Sequence, residues 1–181
     1  MTETKFEPFP KIPRLKRDVV VTEKIDGTNA LVFVADDGET IRFGSRTRWI
    51  TPEDDNAGFA RWGEEHREEL LKLGPGWHYG EWWGSGIQRR YGLTEKRFSL
   101  FNTGRWSGDA RPACCHVVPI LGIGPMNETV DAALAKLRAE GSVAAPGFDR
   151  PEGVVVYHMA SHMLFKVLLE NDAAPKGKAA A

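Results

Sequence analysis

The sequence is poor in the features that mark secreted and membrane proteins. Its 181 residues include two cysteines, Cys114 and Cys115, and adjacent cysteines are poor partners for each other in a structural disulfide. No apolar run approaches the length of a membrane span, and residues 1–10 lack the hydrophobic core of a signal peptide. We therefore expect reduced thiols, a cytoplasmic location and no contact with a membrane.

The chain also lacks an excess of charge of either sign. Its 24 Lys and Arg residues are offset by 25 Asp and Glu residues, which gives a formal net charge of -1. Nothing therefore attracts the whole chain to nucleic acid, and any surface for a polyanion must be local. The hydrophobic fraction of 41% is typical of a globular protein, and the length suits one domain better than two.

The segment Glu23–Asn29 carries the clearest indication of chemistry. It lies between two apolar runs, residues 19–21 and 30–34, which predict strands. Lys24 could attack phosphorus if its surroundings favour the neutral amine, Asp26 could orient a sugar, and Gly27 would let the backbone turn beside a ligand. The alternative is an ordinary β-turn with surface charges, because short motifs often match by chance.

Turn residues and apolar periodicity predict the remaining elements. A hairpin turn at residues 36–39 returns the chain as a strand over 40–44, towards Lys24. Arg46 and Arg48, which follow this strand, are either ordinary edge-strand charges, or one of them binds a phosphate beside Lys24. Helices are predicted over 56–73 and 128–140, each ended by glycine. Further strands are predicted over three segments: 77–84, 98–102 and 114–121.

Acidic and basic side chains stand out in two of the predicted strand regions. Glu81 is surrounded by aromatic residues, so it lies either on the wet face of an alternating strand or where it accepts hydrogen bonds from a ribose. Residues 151–168 predict a hairpin in which Glu152 enters the first strand and Lys166 lies in the second. A lysine in an apolar strand is expected to have an anionic partner.

Residues 89–111 form a locally basic segment with interleaved aromatic residues. The aromatic residues are Tyr91, Phe98, Phe101 and Trp106. Basic charge combined with stacking platforms is typical of nucleic-acid binding. The alternative is a basic surface strip without a special role.

In this order, six motifs resemble those of the covalent nucleotidyltransferase superfamily, which contains polynucleotide ligases and mRNA capping enzymes. They are Lys24–Gly27, Ser45-Arg46, Gly80-Glu81-Trp82, Phe98–Asn102, Glu152-Gly153-Val154 and Lys166. The sequence is most similar to nick-sealing, ATP-dependent RNA ligases, over about residues 19–170. The resemblance implies an α+β fold in which two antiparallel β-sheets with flanking helices form an ATP-grasp-like nucleotide-binding cleft. It implies one adenylylation domain, residues 1–181, with a tail at 171–181 and no OB domain.

The resemblance also implies a reaction and a set of site residues. Lys24 would form a lysyl-adenylate with ATP, the AMP would pass to a 5′-phosphate end, and a 3′-hydroxyl would displace it to seal the strand. Catalytic roles are implied for Lys24, Asp26, Glu152 and Lys166, with Glu152 binding Mg²⁺ or Mn²⁺. Nucleotide-binding roles are implied for Glu23, Gly27, Asn29, Arg46, Glu81 (ribose) and Phe101 (adenine). The implied partner is RNA or a nicked duplex, together with an accessory protein if one supplies the missing domain.

Two departures keep alternatives open. Leu164 and Leu168 flank Lys166 where the family usually carries a second lysine, and Asn102 stands where aspartate is common. The alternatives are a DNA nick ligase and a nucleic-acid end-binding module that has lost turnover. The single lysine of the last strand favours the binding module, whereas the presence of Lys24 and Glu152 favours an enzyme.

Overall fold

The structure, a computed structural model, describes residues 6–170 and residue 172. Within this part of the chain the strands are β1 (Asp18–Lys24), β2 (Thr28–Val34), β3 (Ile41–Gly44), β4 (Trp49–Ile50), β5 (Gly76–Gly84), β6 (Lys96–Leu100), β7 (Cys115–Val117), β8 (Ile120–Pro125), β9 (Gly153–His158) and β10 (Met163–Leu168). The helices are α1 (Phe59–Glu65), α2 (Arg67–Leu71), α3 (Thr103–Trp106) and α4 (Met126–Glu140). The tail expected at 171–181 lies outside the described residues except for residue 172, and the extent of the domain stays a prediction.

Four strands form an antiparallel sheet in the order β10-β9-β1-β8, which α4 covers on one face. Successive side chains of a strand point to opposite faces. Val19 and Val21 are fully buried in one hydrophobic cluster with Leu137 of α4. The alternate residues of β1, which end with Lys24, therefore face away from the helix.

The other six strands form a sheet in the order β4-β3-β2-β5-β6-β7. One face carries the main core, in which Val32, Trp82 and Phe98 pack with Phe59 of α1. The opposite face carries the alternate residues of the same strands, including Asn29 and Glu81, which are cross-strand partners.

The segment around Lys24 joins the two sheets. Lys24 ends β1 in the four-stranded sheet, and Thr28 begins β2 in the six-stranded sheet. Ile25 anchors the turn between them, because its side chain is buried in a third cluster that includes Trp83 and Tyr91. The chain therefore holds Lys24 at the junction of the sheets.

The α+β fold with two sheets and flanking helices is confirmed, with three local differences from the predicted elements. The helix predicted over 56–73 is divided at His66, whose φ of -111° and ψ of 20° interrupt the helical conformation. The strand predicted over 114–121 crosses between the sheets, since β7 lies in one and β8 in the other, with the break at Val118 and Pro119. The six-stranded sheet is not wholly antiparallel, because β7 runs parallel to β6.

The helices of the described residues are all too short or too polar to cross a membrane.

Candidate functional site

The site is organised around an ion pair between Lys24 and Glu152. Lys24 is aligned with Gly153 in the β1–β9 pair, so Glu152 enters β9 directly beside the lysine. The Lys24 Nζ atom donates a hydrogen bond of 2.6 Å to Glu152 Oε2. The side chains are only 18% and 8% exposed, so the pair is largely shielded from water. The predicted association of the two residues in one site is therefore present.

Glu81 is the second carboxyl group of the site. Its Oε1 accepts a hydrogen bond of 3.0 Å from the Gly27 backbone N–H, and its Oε2 accepts one of 3.1 Å from the Asn29 side chain. Glu81 lies on the face of β5 opposite the main core, as an alternating strand predicts, but it is only 8% exposed where it accepts these hydrogen bonds. Burial raises the pKa of Glu81 to about 7, although the positive charge of Lys24 and the two hydrogen bonds partly oppose this shift.

Gly27 occupies a position where the backbone passes close to β5. A Cβ atom added at this residue would lie 2.4 Å from the carbonyl oxygen of Trp82 and 2.7 Å from the Trp83 Cβ. Neither neighbour can move away easily, because both tryptophan side chains are almost fully buried. The glycine is therefore required for the hydrogen bond that joins the turn to Glu81.

Arg89 and Tyr91, two residues of the basic segment 89–111, hold the turn at Asp26 in place. Arg89 Nε donates to Asp26 Oδ2 at 3.0 Å, and Arg89 also donates to the Arg150 carbonyl oxygen at 2.9 Å. The Asp26 backbone N–H donates to the hydroxyl of Tyr91 at 2.8 Å. Burial raises the pKa of Tyr91 well above its ordinary value, so the hydroxyl stays neutral. These partners lie 63 and 65 residues from Asp26, and no local pattern in the sequence marks them.

The other residues predicted to contact the phosphates and the base lie on strands and loops of both sheets. Lys166 is aligned with Val155, which is aligned with Thr22, so Lys166 shares the sheet face of Lys24. Lys166 is exposed and has no ion pair within the described part of the chain, contrary to the expected anionic partner. Arg46 lies exposed in the loop between β3 and β4.

Phe101 lies beside Tyr79, to whose carbonyl oxygen its backbone N–H donates at 3.0 Å. It continues β6 on the face that carries Ser99, the cross-strand partner of Glu81. Its side chain is 41% exposed, so a base can reach the ring.

Glu23 requires a correction, because its position does not fit the nucleotide-binding role expected for it. The residue alternates with Lys24 along β1 and points to the opposite face, where it is 1% exposed. Its carboxylate accepts hydrogen bonds from the Ser142 hydroxyl and from the backbone N–H groups of Val143 and Ala144, at 2.6–2.8 Å. Glu23 therefore fixes the loop between α4 and β9.

The basic segment 89–111 also differs from the prediction. Tyr91, Phe98 and Trp106 are at most 5% exposed, so they belong to the core and cannot stack on bases. The guanidinium groups of Arg105 and Arg111 donate hydrogen bonds to backbone carbonyl oxygens within the protein. The expected stacking surface is not formed there, and of its four aromatic residues only Phe101 remains accessible.

Few of the described side chains could bind a divalent cation. The described residues contain no cluster of three or more His, Cys, Asp or Glu side chains. Glu152 and Glu81 both interact electrostatically with Lys24 and with each other. Mg²⁺ commonly keeps several waters and binds one or two carboxylates together with substrate phosphates, so this donor set fits a cation that arrives with a nucleotide.

Comparisons with known proteins identify the family and the fold. A family model described as RNA ligase matches residues 17–168, which is most of the chain. No curated protein matches the sequence. The solved structures that match show the same fold, and the chain spans about half the length of these ligases.

Three of these structures are of Naegleria gruberi RNA ligase. An alanine mutant with ATP and Mn is 24% identical, with a TM-score of 0.65, and covers 86% of this chain and 51% of that one. The ligase with PPi is 22% identical, with a TM-score of 0.62, over 84% and 50% of the two chains. A methionine mutant with AMP and Mn is 22% identical, with a TM-score of 0.59, over 85% and 50%. From the extent of the family match, the chain belongs to the RNA ligase family.

Proposed function

We propose that this chain is the adenylylation core of an ATP-dependent RNA ligase. The observation that carries the proposal is the convergence of one amine and two buried carboxyl groups, Lys24, Glu152 and Glu81, at the junction of two sheets. Family membership and the fold shared with ligase structures described with ATP, AMP, PPi and Mn support it. The chain would act in the cytoplasm and bind RNA ends, with or without an accessory protein.

The first chemical step is attack by Lys24 on the α-phosphorus of ATP. A bond forms between Nζ and phosphorus, and the bond from phosphorus to the pyrophosphate oxygen breaks. The ammonium form of a lysine is not nucleophilic. The proton must therefore leave before attack. Lys24 would be released from its 2.6 Å ion pair when a cation binds Glu152, and the proton would pass to water.

The nucleotide would be held by the residues that surround this centre. Each oxygen of Glu81 accepts one hydrogen bond from the protein, and a carboxylate has further acceptor sites, so Glu81 can also accept from a ribose hydroxyl. Phe101 presents an accessible ring for adenine. Arg46 and Lys166 would contact phosphates, and Asp26 would act through the turn that Arg89 holds.

A divalent cation bound at Glu152 would offset the negative charge of the triphosphate. It would also compete with Lys24 for the carboxylate. Without the nucleotide, Glu152 has Lys24 as its charged partner. Glu152 is therefore the residue proposed to hold Mg²⁺ or Mn²⁺, with phosphate oxygens and water completing the coordination.

The later steps would transfer AMP to the 5′-phosphate of an RNA end and then join that end to a 3′-hydroxyl. RNA is proposed over DNA because of the family match. An end-binding module remains the second candidate, since Lys166 is the only lysine of β10 and its neighbours at alternate positions are Leu164 and Leu168.

The deciding experiment is incubation with ATP labelled at the α-phosphate and with Mg²⁺ or Mn²⁺, followed by denaturation and measurement of label on the protein. We expect one covalent AMP per chain, which pyrophosphate removes. The adenylylated protein is then offered nicked duplexes with an RNA or a DNA 3′-hydroxyl end. Absence of any adduct would favour the end-binding module, and equal sealing of both nicks would count against an RNA-specific ligase.

A further inference from the structure

A group of aromatic side chains lies exposed on the six-stranded sheet, on the face opposite the main core. It consists of Phe33, Trp49, Trp77 and Tyr79, together with Arg42, and is called the aromatic surface below. Trp49, Trp77 and Tyr79 are 37%, 54% and 55% exposed. Large aromatic residues are usually buried in a core, so a cluster of this kind indicates a binding surface.

The rings form one continuous layer. The Phe33 ring lies 4.8 Å from that of Trp77 and 6.0 Å from that of Trp49, measured between centroids. Trp49 and Trp77 are 5.6 Å apart, and Trp77 and Tyr79 are nearly parallel at 6.4 Å. Because the rings hold one another in place, they lose little conformational freedom when a ligand stacks on them.

The charge of this surface is complementary to a polyanion. Arg42 lies with its guanidinium carbon 4.0 Å from the centre of the Trp49 ring, and Arg46 lies exposed in the loop that leads into Trp49. Among the described residues, acidic side chains lie near this surface at Glu81, at residues 36–39 of the β2–β3 hairpin, and at Asp54, which is paired with Arg48 next to Trp49. A chain of phosphates could therefore pass between them along the flank that carries the arginines.

The aromatic surface is continuous with the candidate site. Trp77 and Tyr79 lie on the same face of β5 as Glu81, and their partners Phe33 and Leu31 lie on the same face of β2 as Asn29. At about 3.4 Å per residue, Trp77 is about 14 Å along the strand from Glu81. A nucleic-acid strand that ends at Lys24 could reach this surface within a few nucleotides.

We propose that the aromatic surface binds a single-stranded segment of the RNA substrate, with its bases stacked on Trp49 and Trp77 and a phosphate on Arg42. The inference rests on the proposed ligase function and replaces residues 89–111, whose aromatic side chains are buried, as the docking surface. Stacking on aromatic side chains tolerates any base, so binding is expected to be strong for single strands and weakly dependent on sequence.

The test measures the affinity for a fluorescently labelled oligoadenylate with a 5′-phosphate, and for an abasic strand of the same length. Four proteins are compared: the wild type, the double variants Trp49→Ala/Trp77→Ala and Trp49→Phe/Trp77→Phe, and the control Ile123→Ala. Ile123 is 59% exposed and lies in β8 of the other sheet. Lysyl-adenylate formation is measured on the same preparations, because it reports a folded site.

The alanine double variant should bind the oligoadenylate about thirtyfold more weakly or worse, since it loses two stacked bases that contribute about 1–3 kcal/mol each. The phenylalanine variant and Ile123→Ala should stay within about threefold of wild type, and the abasic strand should bind the wild type and the two double variants equally. Arg42→Gln should lower the slope of log affinity against log salt by about 0.7, the value for one lost phosphate contact.

Unchanged affinity in the alanine variant would overturn the inference, and so would an equal loss of affinity for the abasic strand. A shift in oligomeric state without loss of RNA affinity would mean that the surface binds protein instead. If the alanine double variant also loses lysyl-adenylate formation, the inference is tested by the oligoadenylate affinity of Arg42→Gln and of the single variant Trp77→Ala. Failure of the wild type to form the adenylate would overturn the proposed function, whereas unchanged affinity in an active protein would overturn only this inference.

Discussion

Lys24 Nζ lies 2.6 Å from Glu152 Oε2, although the two residues are 128 positions apart in the sequence. The antiparallel pairing of β1 with β9 produces this contact, because it aligns Lys24 with the residue that follows Glu152. The proposed nucleophile and the proposed metal-binding acid are thus one ion pair in the nucleotide-free protein. Changes at either residue should affect both chemistry and stability.

Replacement of Lys24 should separate these two effects. Lys24→Ala should abolish the covalent AMP adduct and lower the free energy of unfolding by about 1–3 kcal/mol, because Glu152 is left shielded without its partner. The double variant Lys24→Ala/Glu152→Gln should recover part of that stability and none of the adduct. Intact mass spectrometry and denaturant unfolding measure the two quantities. An undiminished adduct in the alanine variant would exclude Lys24 as the nucleophile.

Glu152 should be needed for the metal-dependent step. Glu152→Ala should lose most adenylylation, and raised Mg²⁺ should partly restore Glu152→Gln, whose amide oxygen can still act as a weak ligand. The measurement is the initial rate of adduct formation over a Mg²⁺ titration, with Glu140→Ala as the control because Glu140 is an exposed acid at the end of α4. Full activity of Glu152→Ala at every Mg²⁺ concentration would contradict the assignment.

Much of the fold could be predicted because local patterns determine its elements. The alternation in β1, the glycine after α4 and the hairpin turn at residues 36–39 each depend on residues close in the sequence. The crossing at Val118 and Pro119 could not be predicted in this way, because one apolar run supplies strands to two different sheets.

Lys24, Glu81 and Glu152 could be predicted as site residues because they belong to motifs whose order resembles that of polynucleotide ligases. The functions of Glu23, Arg89 and Tyr91 depend on partners more than 60 residues away, so no spacing reveals them. Glu23 is adjacent to Lys24 and yet faces the other side of the sheet, which follows from strand alternation once β1 is seen to include it.

Glu23 should be a structural requirement rather than a nucleotide ligand. Glu23→Ala removes the acceptor for the Ser142 hydroxyl and two backbone N–H groups, so we expect a loss of about 3 kcal/mol or more in the free energy of unfolding. Glu39→Ala, at an exposed acid, should change it by less than about 0.5 kcal/mol. Normal stability together with weakened ATP binding in Glu23→Ala would restore the nucleotide-binding role.

Gly27 should tolerate no side chain. In Gly27→Ala the new Cβ would collide with the Trp82 carbonyl oxygen, so the turn must shift and the hydrogen bond to Glu81 should break. We expect slower adduct formation and weaker ATP binding. Gly104→Ala is the matched control, because a Cβ there meets its nearest atom at 3.6 Å. Equal rates for both alanine variants would show that the close approach of Gly27 to β5 is unimportant.

The ionisation of Glu81 should make stability depend on pH. Its pKa is raised by burial from the ordinary 4.5 to about 7, so the folded state binds this proton more tightly than the unfolded state. The resulting stabilisation is fully present below about pH 4.5 and is lost as the pH rises through about 7, with an upper limit of about 3 kcal/mol. The charge of Lys24 lowers the pKa of Glu81, and that of Glu152 raises it.

Glu81→Gln keeps the shape of the side chain and removes the titration. Burial also raises the pKa of Glu23, but that group is common to both proteins, so the difference between their pH profiles isolates Glu81. Between about pH 5 and about pH 8, wild type should lose more of its free energy of unfolding than the variant. Denaturant unfolding across this range measures both profiles. Parallel profiles would mean that Glu81 ionises in the folded protein as it does in water.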